Sequence, residues 1–264
     1  MVRESRGLAA LPALARVSLM TALQYRSNFA LEILIGGATA SMGLVPLLFV
    51  YGRAHDIAGW TLPESLLVTG FFLMLSGVVG TFVEPNLSAV VEGVRNGQLD
   101  YMLVKPVDAQ LLASASRVAP ARLWDMVAGV GVLGWALSQL PTPSAGQGLL
   151  AFGLLVSGLG AMYSLWVGVV CLSFWFVRVD NLRFLLSAIT DAGRWPVSVY
   201  RGVSRLLLTV VVPVALTTSF PALALLGRLD SGLLAQALAV SAVGLVVSRL
   251  LWKNAVSHYT SASS

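Results

Sequence analysis

Long apolar runs recur along this chain, and they constrain its fold more than any other feature. A membrane-crossing α-helix needs about 20 mainly apolar residues to span a hydrocarbon core about 30 Å thick. Only 11% of the residues are charged, whereas a soluble domain carries about 25%. The sequence therefore predicts an all-α polytopic membrane protein, organised as one domain over residues 1–264. The clearest spans are Phe29–Tyr51, Leu66–Glu84, Leu123–Leu140, Gly148–Val177 and Leu233–Trp252.

A sixth span lies between Asn181 and Phe220, and two placements compete for it. Hydropathy alone favours Val203–Phe220, which contains an uninterrupted apolar stretch. The alternative places the span at Asn181–Tyr200 and lets residues 201–228 dip into the membrane and return as a re-entrant segment. The residues by themselves leave both placements open.

The basic residues predict the same orientation under either placement. The first puts 15 basic residues on one side and two on the other; the second gives 12 and four, with Arg194 inside the span. Lys and Arg concentrate in cytoplasmic loops, so we expect both termini in the cytoplasm. A nucleic-acid partner is not predicted, because the basic residues lie between apolar runs and form no separate basic face.

Two amphipathic segments are not predicted to cross the membrane. The first precedes span one, within residues 1–28, and is predicted to lie along the cytoplasmic interface. The second is Asn86–Gly97, in the predicted cytoplasmic loop 85–118. Its apolar residues recur at helical spacing, with Asn86 as a candidate N-cap and Asn96-Gly97 as the end. We expect this short helix to dock a soluble partner or to shield the bilayer edge; its candidate docking residues are Leu87, Val90, Val91, Glu92, Val94 and Arg95.

The sequence offers no catalytic motif. A phosphate-binding loop needs G-x-x-x-x-G-K-[ST], and neither of the two lysines, Lys105 and Lys253, stands in that context. The histidines His55 and His258 are predicted on opposite sides of the membrane. Cys171 is the only cysteine, which argues against disulfide or thiolate metal chemistry. We therefore expect no enzyme activity, metal or cofactor in this chain by itself.

Ionisable residues in or near spans are costly and are functional candidates for that reason. Asp191 and Arg194 are three positions apart and can pair on one helix face. The others are predicted near cytoplasmic span ends, where interfacial anchoring or pairing with an arginine is the alternative to a transport role; they are Glu32, Glu84 and Asp125.

Small residues form a stripe along span four at spacings of three or four. Such a stripe lets another helix approach closely. Its partner is either a helix of the same chain or a second subunit at a dimer seam. The stripe consists of Gly153, Ser157, Gly160, Ser164 and Gly168.

Three patches of this sequence resemble the type-2 ATP-binding-cassette export permeases, specifically the bacterial six-span branch of roughly 260 residues. They are Tyr25-Arg26-x-x-Phe29, then Gly97-x-Leu99-Asp100-x-x-Leu103-x-Lys105-Pro106, then Trp195-Pro196-x-x-x-Tyr200 with Arg205, Pro213, Pro221 and Gly227. The likeness covers most of residues 10–252. Two departures concern the third patch: the branch often has Tyr where Trp195 stands and proline where Arg201 stands.

The resemblance implies a role for each patch. Tyr25 and Arg26 would belong to a connector helix, and Asn86–Gly97 would be a coupling helix seated on an ATPase. The third patch would end span five and open an outer re-entrant gate, which favours Asn181–Tyr200 as the span. Implied gate residues are Trp195, Pro196, Tyr200, Arg205, Pro213 and Pro221.

The resemblance also implies partners and location. It predicts a permease subunit in the bacterial cytoplasmic membrane, paired with a second permease, identical or different, and with two ATPase subunits that hold ATP and Mg. An ion-coupled secondary transporter is the main rival. That rival predicts inverted repeats and charged or broken helices at the midplane, and neither is evident in the sequence.

Overall fold

The computed structural model describes residues 16, 17, 20, 24, 26–105, 107–176 and 180–259. Over those residues the chain is helical, and its only β-type pairing is one bridge between Ile57 and Trp60. The α-helices are α1 Arg26–Tyr51, α2 Leu62–Val78, α3 Glu84–Arg95, α4 Asp100–Leu103, α5 Ala109–Ala115, α6 Leu123–Ser138, α7 Ala145–Cys171, α8 Asp180–Asp191, α9 Val203–Leu206, α10 Val214–Thr217, α11 Ser219–Leu225 and α12 Ser231–Ser257.

Polar caps fix where three long helices begin. The Glu64 carboxylate accepts the Thr61 backbone N–H at 2.8 Å at the start of α2. Gln147 accepts the Ser144 backbone N–H at 2.7 Å at the start of α7, and Asp230 accepts the Gly232 N–H at 2.9 Å in α12. These side chains satisfy backbone N–H groups that have no partner within the helix.

Close packing shows the relative directions of the spans. Helices α2 and α6 are antiparallel: a Cβ at Gly70 would lie 2.7 Å from Leu133, and one at Gly77 would lie 2.7 Å from the Met126 backbone N. Helices α7 and α12 run parallel, with Ser157 bonded to Ser241 at 2.9 Å near the start of the contact. We call the end of the bundle with the α1–α2 loop the Trp60 end, and the opposite end the Lys105 end.

The segment between Ser198 and Arg228 begins and ends at the Trp60 end. The Trp60 indole N–H donates to Ser198 Oγ at 2.8 Å, and Arg228 pairs with Glu64 at 2.7 Å. Two helical stretches between them, Val203–Val211 and Val214–Leu225, meet at an angle of 66°. The segment therefore turns back, and we call it the hairpin. A return to the Trp60 end is what the Asn181–Tyr200 placement expects of residues 201–228, and that placement stays a prediction.

In the described residues, four helices are long and apolar enough to cross a membrane, or five if the bent hairpin counts as one span. The fold class, an all-α polytopic membrane protein, is confirmed. The predicted third and fifth spans correspond to α6, with 16 residues, and α8, with 12 residues followed by 3₁₀ turns. Both helices are shorter than the about 20 residues that a straight span needs, so the count of six spans stays a prediction.

The boundary between the second span and the next helix differs from the prediction. A π turn at Val79–Val83 joins α2 directly to α3, so a single 34-residue helix runs over Leu62–Arg95. Asn86 is therefore inside the helix and caps nothing, and the candidate N-cap was wrong. The predicted end is confirmed: α3 stops at Arg95, and Gly97 takes φ +69°, a conformation that glycine adopts without steric cost.

Candidate functional site

The loop at the Lys105 end is a compact structure built by α3, α4 and α5. The apolar face of α3 packs against the chain itself. Leu87, Val90 and Val91 are buried in a cluster that includes Trp166 and Val170 of α7. The face predicted to dock a partner is thus occupied by α7, and these three side chains offer a partner no surface.

The side chain of Asn86 joins the start of the loop to its end at Arg117 by hydrogen bonds. Its Nδ2 donates to the Phe82 carbonyl at 2.7 Å and to the Arg117 carbonyl at 2.6 Å, while Oδ1 accepts the Arg117 N–H at 2.7 Å. A fully hydrogen-bonded buried amide holds two segments in one register, because leaving any of these groups unpaired is costly.

The exposed side of the loop carries two large apolar side chains. Tyr101 is 78% exposed and Val104 is 84% exposed. Leu99, beside them, is buried and anchors α4. Of the residues predicted to dock, Glu92 and Arg95 are exposed and Val94 is half-buried.

A polar network ties α5 to two spans. Arg249 of α12 pairs with Asp108 through two hydrogen bonds, one of them Nη1 to Oδ1 at 3.0 Å. Nη1 also donates to Gln110 at 2.9 Å. Ser114 shares a hydrogen bond of 2.6 Å with Tyr163 of α7. The hydrogen bonds from Arg249 hold the pKa of the Asp108 carboxyl below its usual value. Sequence reasoning missed this network, because Arg249 is 141 residues from Asp108 and 139 from Gln110.

Aromatic rings connect the end of α7 to the end of α12. Phe174 meets Trp252 at a centroid distance of 6.3 Å and Tyr259 at 5.9 Å, both edge-on. Such contacts add packing energy beyond burial alone. Together with the Asp108–Arg249 pair, they make the Lys105 end one connected layer.

Ionisable residues of the predicted spans form ion pairs among the described residues. Asp191 and Arg194 form an ion pair of 2.9 Å, which confirms the predicted pairing on one helix face. The Arg194 guanidinium also lies 5.2 Å from the Phe72 ring centroid. Asp125, which is buried, pairs with Arg122 at 3.6 Å. Glu32 and Glu84 also take part in interactions.

The small-residue stripe of α7 mostly faces α12 of the same chain. Ser157 bonds to Ser241, and Gly160 and Gly168 lie within 4 Å of leucines of α12 when a Cβ is added. Ser164 approaches Gly244 in the same way, but Gly153 has open space beside it. The intrachain alternative holds for four of the five. Gly158 of α7, which is not part of the stripe, makes a tighter contact with the hairpin. A Cβ at Gly158 would lie 2.8 Å from the Leu216 backbone.

The predicted gate residues cluster around the hairpin. Pro196, Pro213 and Pro221 are buried, and Pro213 follows the bend. Tyr200 donates its hydroxyl to the Ala192 carbonyl at 2.9 Å, Trp195 packs against the core, and Arg205 is exposed. Of the predicted connector residues, Tyr25 lies outside the described residues, and Arg26 is the first residue of α1.

The helices that are long and apolar enough to cross a bilayer define an integral membrane protein. The family model for ABC-2 family transporter proteins matches residues 38–263. The chain therefore belongs to the ABC-2 transporter family and is a membrane component of an ATP-binding-cassette transporter. No curated protein and no solved structure matched this chain.

Proposed function

We propose that this chain is the permease subunit of an ATP-driven exporter in the bacterial cytoplasmic membrane. It would form the substrate pathway with a second permease, identical or a paralogue. Two separate ATPase subunits would bind ATP and Mg and hydrolyse the nucleotide. Family membership supports the permease role, and the loop at the Lys105 end supports the docking of a soluble subunit.

One observation carries the docking proposal. Tyr101 and Val104 are among the most exposed large apolar side chains in the described residues, and they lie in a loop outside the membrane spans. Apolar side chains that face water together mark a protein contact, and aromatic residues are enriched in such contacts. The docking surface thus shifts from the apolar face of α3 to α4, with Glu92 and Arg95 as exposed charges on the same loop.

The basic residues support an orientation with the Lys105 end in the cytoplasm. The Lys105 end holds more basic residues than the Trp60 end. At the Trp60 end the basic residues are Arg53, Arg201, Arg205 and Arg228. By the positive-inside rule the richer end is cytoplasmic. ATPase subunits would then meet the exposed side of α4.

The contacts of the loop provide a route for coupling. A displacement of α4 and α5 would act on α12 through Asp108–Arg249 and on α7 through Ser114–Tyr163. Packed helices move as rigid bodies between discrete arrangements. The hairpin lies at the opposite end and would act as the outer lid. The irregular backbone at its bend, Val212 and Pro213, is buried in protein, which is the setting in which irregular backbone is tolerated at membrane depth.

A pair of valine substitutions tests the docking surface. We expect Val104→Asp to reduce co-purification of the ATPase subunit about tenfold or more, because buried apolar anchors carry most of the energy of an interface. The measurement is affinity purification of the tagged chain from its native membrane, with mass-spectrometric quantification of the bound subunits.

The matched control is Val203→Asp. Val203 is 79% exposed but lies at the Trp60 end, so this variant should retain the ATPase subunit. Equal retention by both variants would contradict docking at α4. A chain that purifies alone and still transports without ATP would instead support the ion-coupled transporter.

A further inference from the structure

An apolar groove of about 600 Å³ runs between α7 and α12, beside the bend of the hairpin. Its walls include Gly168 and Val169 of α7, Val243 and Val247 of α12, and Val211 and Pro213 of the hairpin. The groove arises because the hairpin turns back at Pro213 while α7 and α12 continue to the Lys105 end. None of the described residues fills the space beyond the bend.

The groove presents almost no hydrogen-bonding capacity to an occupant. Its two serines donate to their own helices, Ser164 to the Gly160 carbonyl at 2.8 Å and Ser248 to the Leu245 carbonyl at 2.9 Å. The remaining lining is aliphatic or proline and glycine. An apolar cavity of this kind does not hold ordered water, and at membrane depth the surrounding solvent is lipid.

The length of the groove fits one leaflet. From Ala239 to Leu251 the α12 wall covers 13 residues, and the 12 steps between them rise about 18 Å at 1.5 Å each. Half of a hydrocarbon core about 30 Å thick is about 15 Å. The groove is therefore as long as one extended acyl chain of the leaflet at the Lys105 end.

The face of α12 that lines the groove becomes polar where that leaflet would end. Val240, Gly244, Val247 and Leu251 follow one another at helical spacing, and the next positions on the same face are Asn254 and His258. The exposed indole of Trp175 lies 6.1 Å from the His258 ring. Tryptophan at such a position is typical of the headgroup interface. An apolar trough with a polar end matches an amphiphile in shape and chemistry.

We propose that this groove is a phospholipid-binding site. One acyl chain lies against Val243 and Val247 beneath the bend, and the phosphate headgroup rests against Asn254 and His258 beside Trp175. The binding follows from the groove itself; only the identification of the leaflet as the cytoplasmic one rests on the proposed orientation. The lipid would fill the volume under the hairpin and support its tip.

A pair of tryptophan substitutions tests the site. Val243 lines the groove and is 62% exposed, whereas Val246 is 61% exposed on another face of α12. The wild type and both variants are reconstituted, with any subunits that co-purify, into vesicles of phosphatidylethanolamine and phosphatidylglycerol. After extraction into detergent, native mass spectrometry counts the phospholipids retained per chain.

We expect the wild type and Val246→Trp to retain one phospholipid and Val243→Trp to lose it about tenfold, because the indole occupies the volume of the acyl chain. Equal retention in all three proteins would overturn the proposal. A change in the number of permease chains with Val243→Trp, without a change in lipid, would also overturn it and would make the groove a seam between copies.

A second measurement on the unsubstituted protein covers the case in which Val243→Trp does not fold. A phosphatidylglycerol with a photoreactive acyl chain should label Ala239, Val243 and Val247 in preference to Val246 and Leu250 after detergent exchange. Equal labelling of both faces would count against the site. The ATPase subunit is seen in the same mass spectra, so its absence would overturn the proposed function and leave the lipid result readable.

Discussion

Arg249 lies in a helix that the sequence predicts as a membrane span, yet its guanidinium reaches the carboxylate of Asp108 in the loop at the Lys105 end. The pair is partly exposed, with 41% of the Arg249 side chain and 36% of the Asp108 side chain accessible. Solvent screening therefore limits what it contributes to stability to roughly 1 kcal/mol or less. Its value lies in geometry, because two parallel hydrogen bonds fix one orientation of the loop on α12.

The low pKa of Asp108 makes this contribution depend on pH. A carboxyl whose pKa is lower in the folded state stabilises that state above its unfolded pKa, about 3.9 for aspartate, and loses the effect as pH falls through the folded value. We expect Asp108→Asn to lower the unfolding temperature at neutral pH, and the difference from wild type to fade below about pH 4. The measurement is the unfolding temperature in detergent across that pH range.

The control for this experiment is Asp56→Asn, at an exposed position of the Trp60 end. It should leave the unfolding temperature almost unchanged at every pH. A difference between wild type and Asp108→Asn that persists or grows in acid would show that the ion pair is not its cause.

At the scale of elements, the hairpin depends on one close approach to α7. A Cβ at Gly158 would lie 2.8 Å from the carbonyl carbon of Leu216 and 2.6 Å from Thr217. Backbone cannot yield as a flexible side chain does, so any side chain at this position must displace α10. The hairpin is thereby held to α7 by shape, and glycine is required there for space and not for its φ angle.

We expect Gly158→Ala to destabilise the protein by roughly 1–3 kcal/mol, the usual cost of forcing extra atoms into a packed contact. Gly153→Ala is the matched control on the same helix, because nothing lies within 4 Å of its added Cβ. That variant should be neutral or gain up to about 1 kcal/mol from reduced chain entropy. Thermal unfolding of both variants in detergent measures the difference, and equal behaviour would refute the close approach.

The elements also show what the sequence could predict and what it could not. Apolar runs gave the spans, since their length is set by the bilayer, and the Asp191–Arg194 pair followed from helical spacing. Hydropathy could not place the fifth span, because the apolar content of Val203–Phe220 suits a bent hairpin packed on other helices as well as it suits a straight span. The role of Asn86 was hidden because its partner, Arg117, is 31 residues away. The sequence also did not show that α7 covers the apolar face of α3. Helical periodicity shows that a face is apolar, but it does not show which element packs against that face.

At the scale of the whole molecule, the contacts of the described residues fix which loops share an end of the bundle. Ser198 and Arg228 both reach the α1–α2 loop region, whereas α4 and α5 lie at the other end. The hairpin and the proposed docking surface are therefore at opposite ends of the bundle, and we expect them on opposite faces of the membrane.

Labelling of single cysteines tests this arrangement and the proposed orientation together. Ser204 and Asn96 are both exposed, at opposite ends of the bundle, and the native Cys171 is buried. We expect Ser204→Cys to react with an impermeant thiol reagent in intact cells, and Asn96→Cys to react only after permeabilisation. Labelling of both from the same side would contradict the fold, and the reverse pattern would contradict the orientation alone.

The continuous helix from Leu62 to Arg95 has a mechanical consequence. At 1.5 Å per residue it is a rod roughly 50 Å long, and a tilt of about 5° displaces one end relative to the other by about 4 Å. One end carries Glu64, which pairs with Arg228 at the end of the hairpin. The other end leads into α4. The π turn at Val79–Val83, a type of irregularity often found at functional positions, is the point where such a lever bends or transmits.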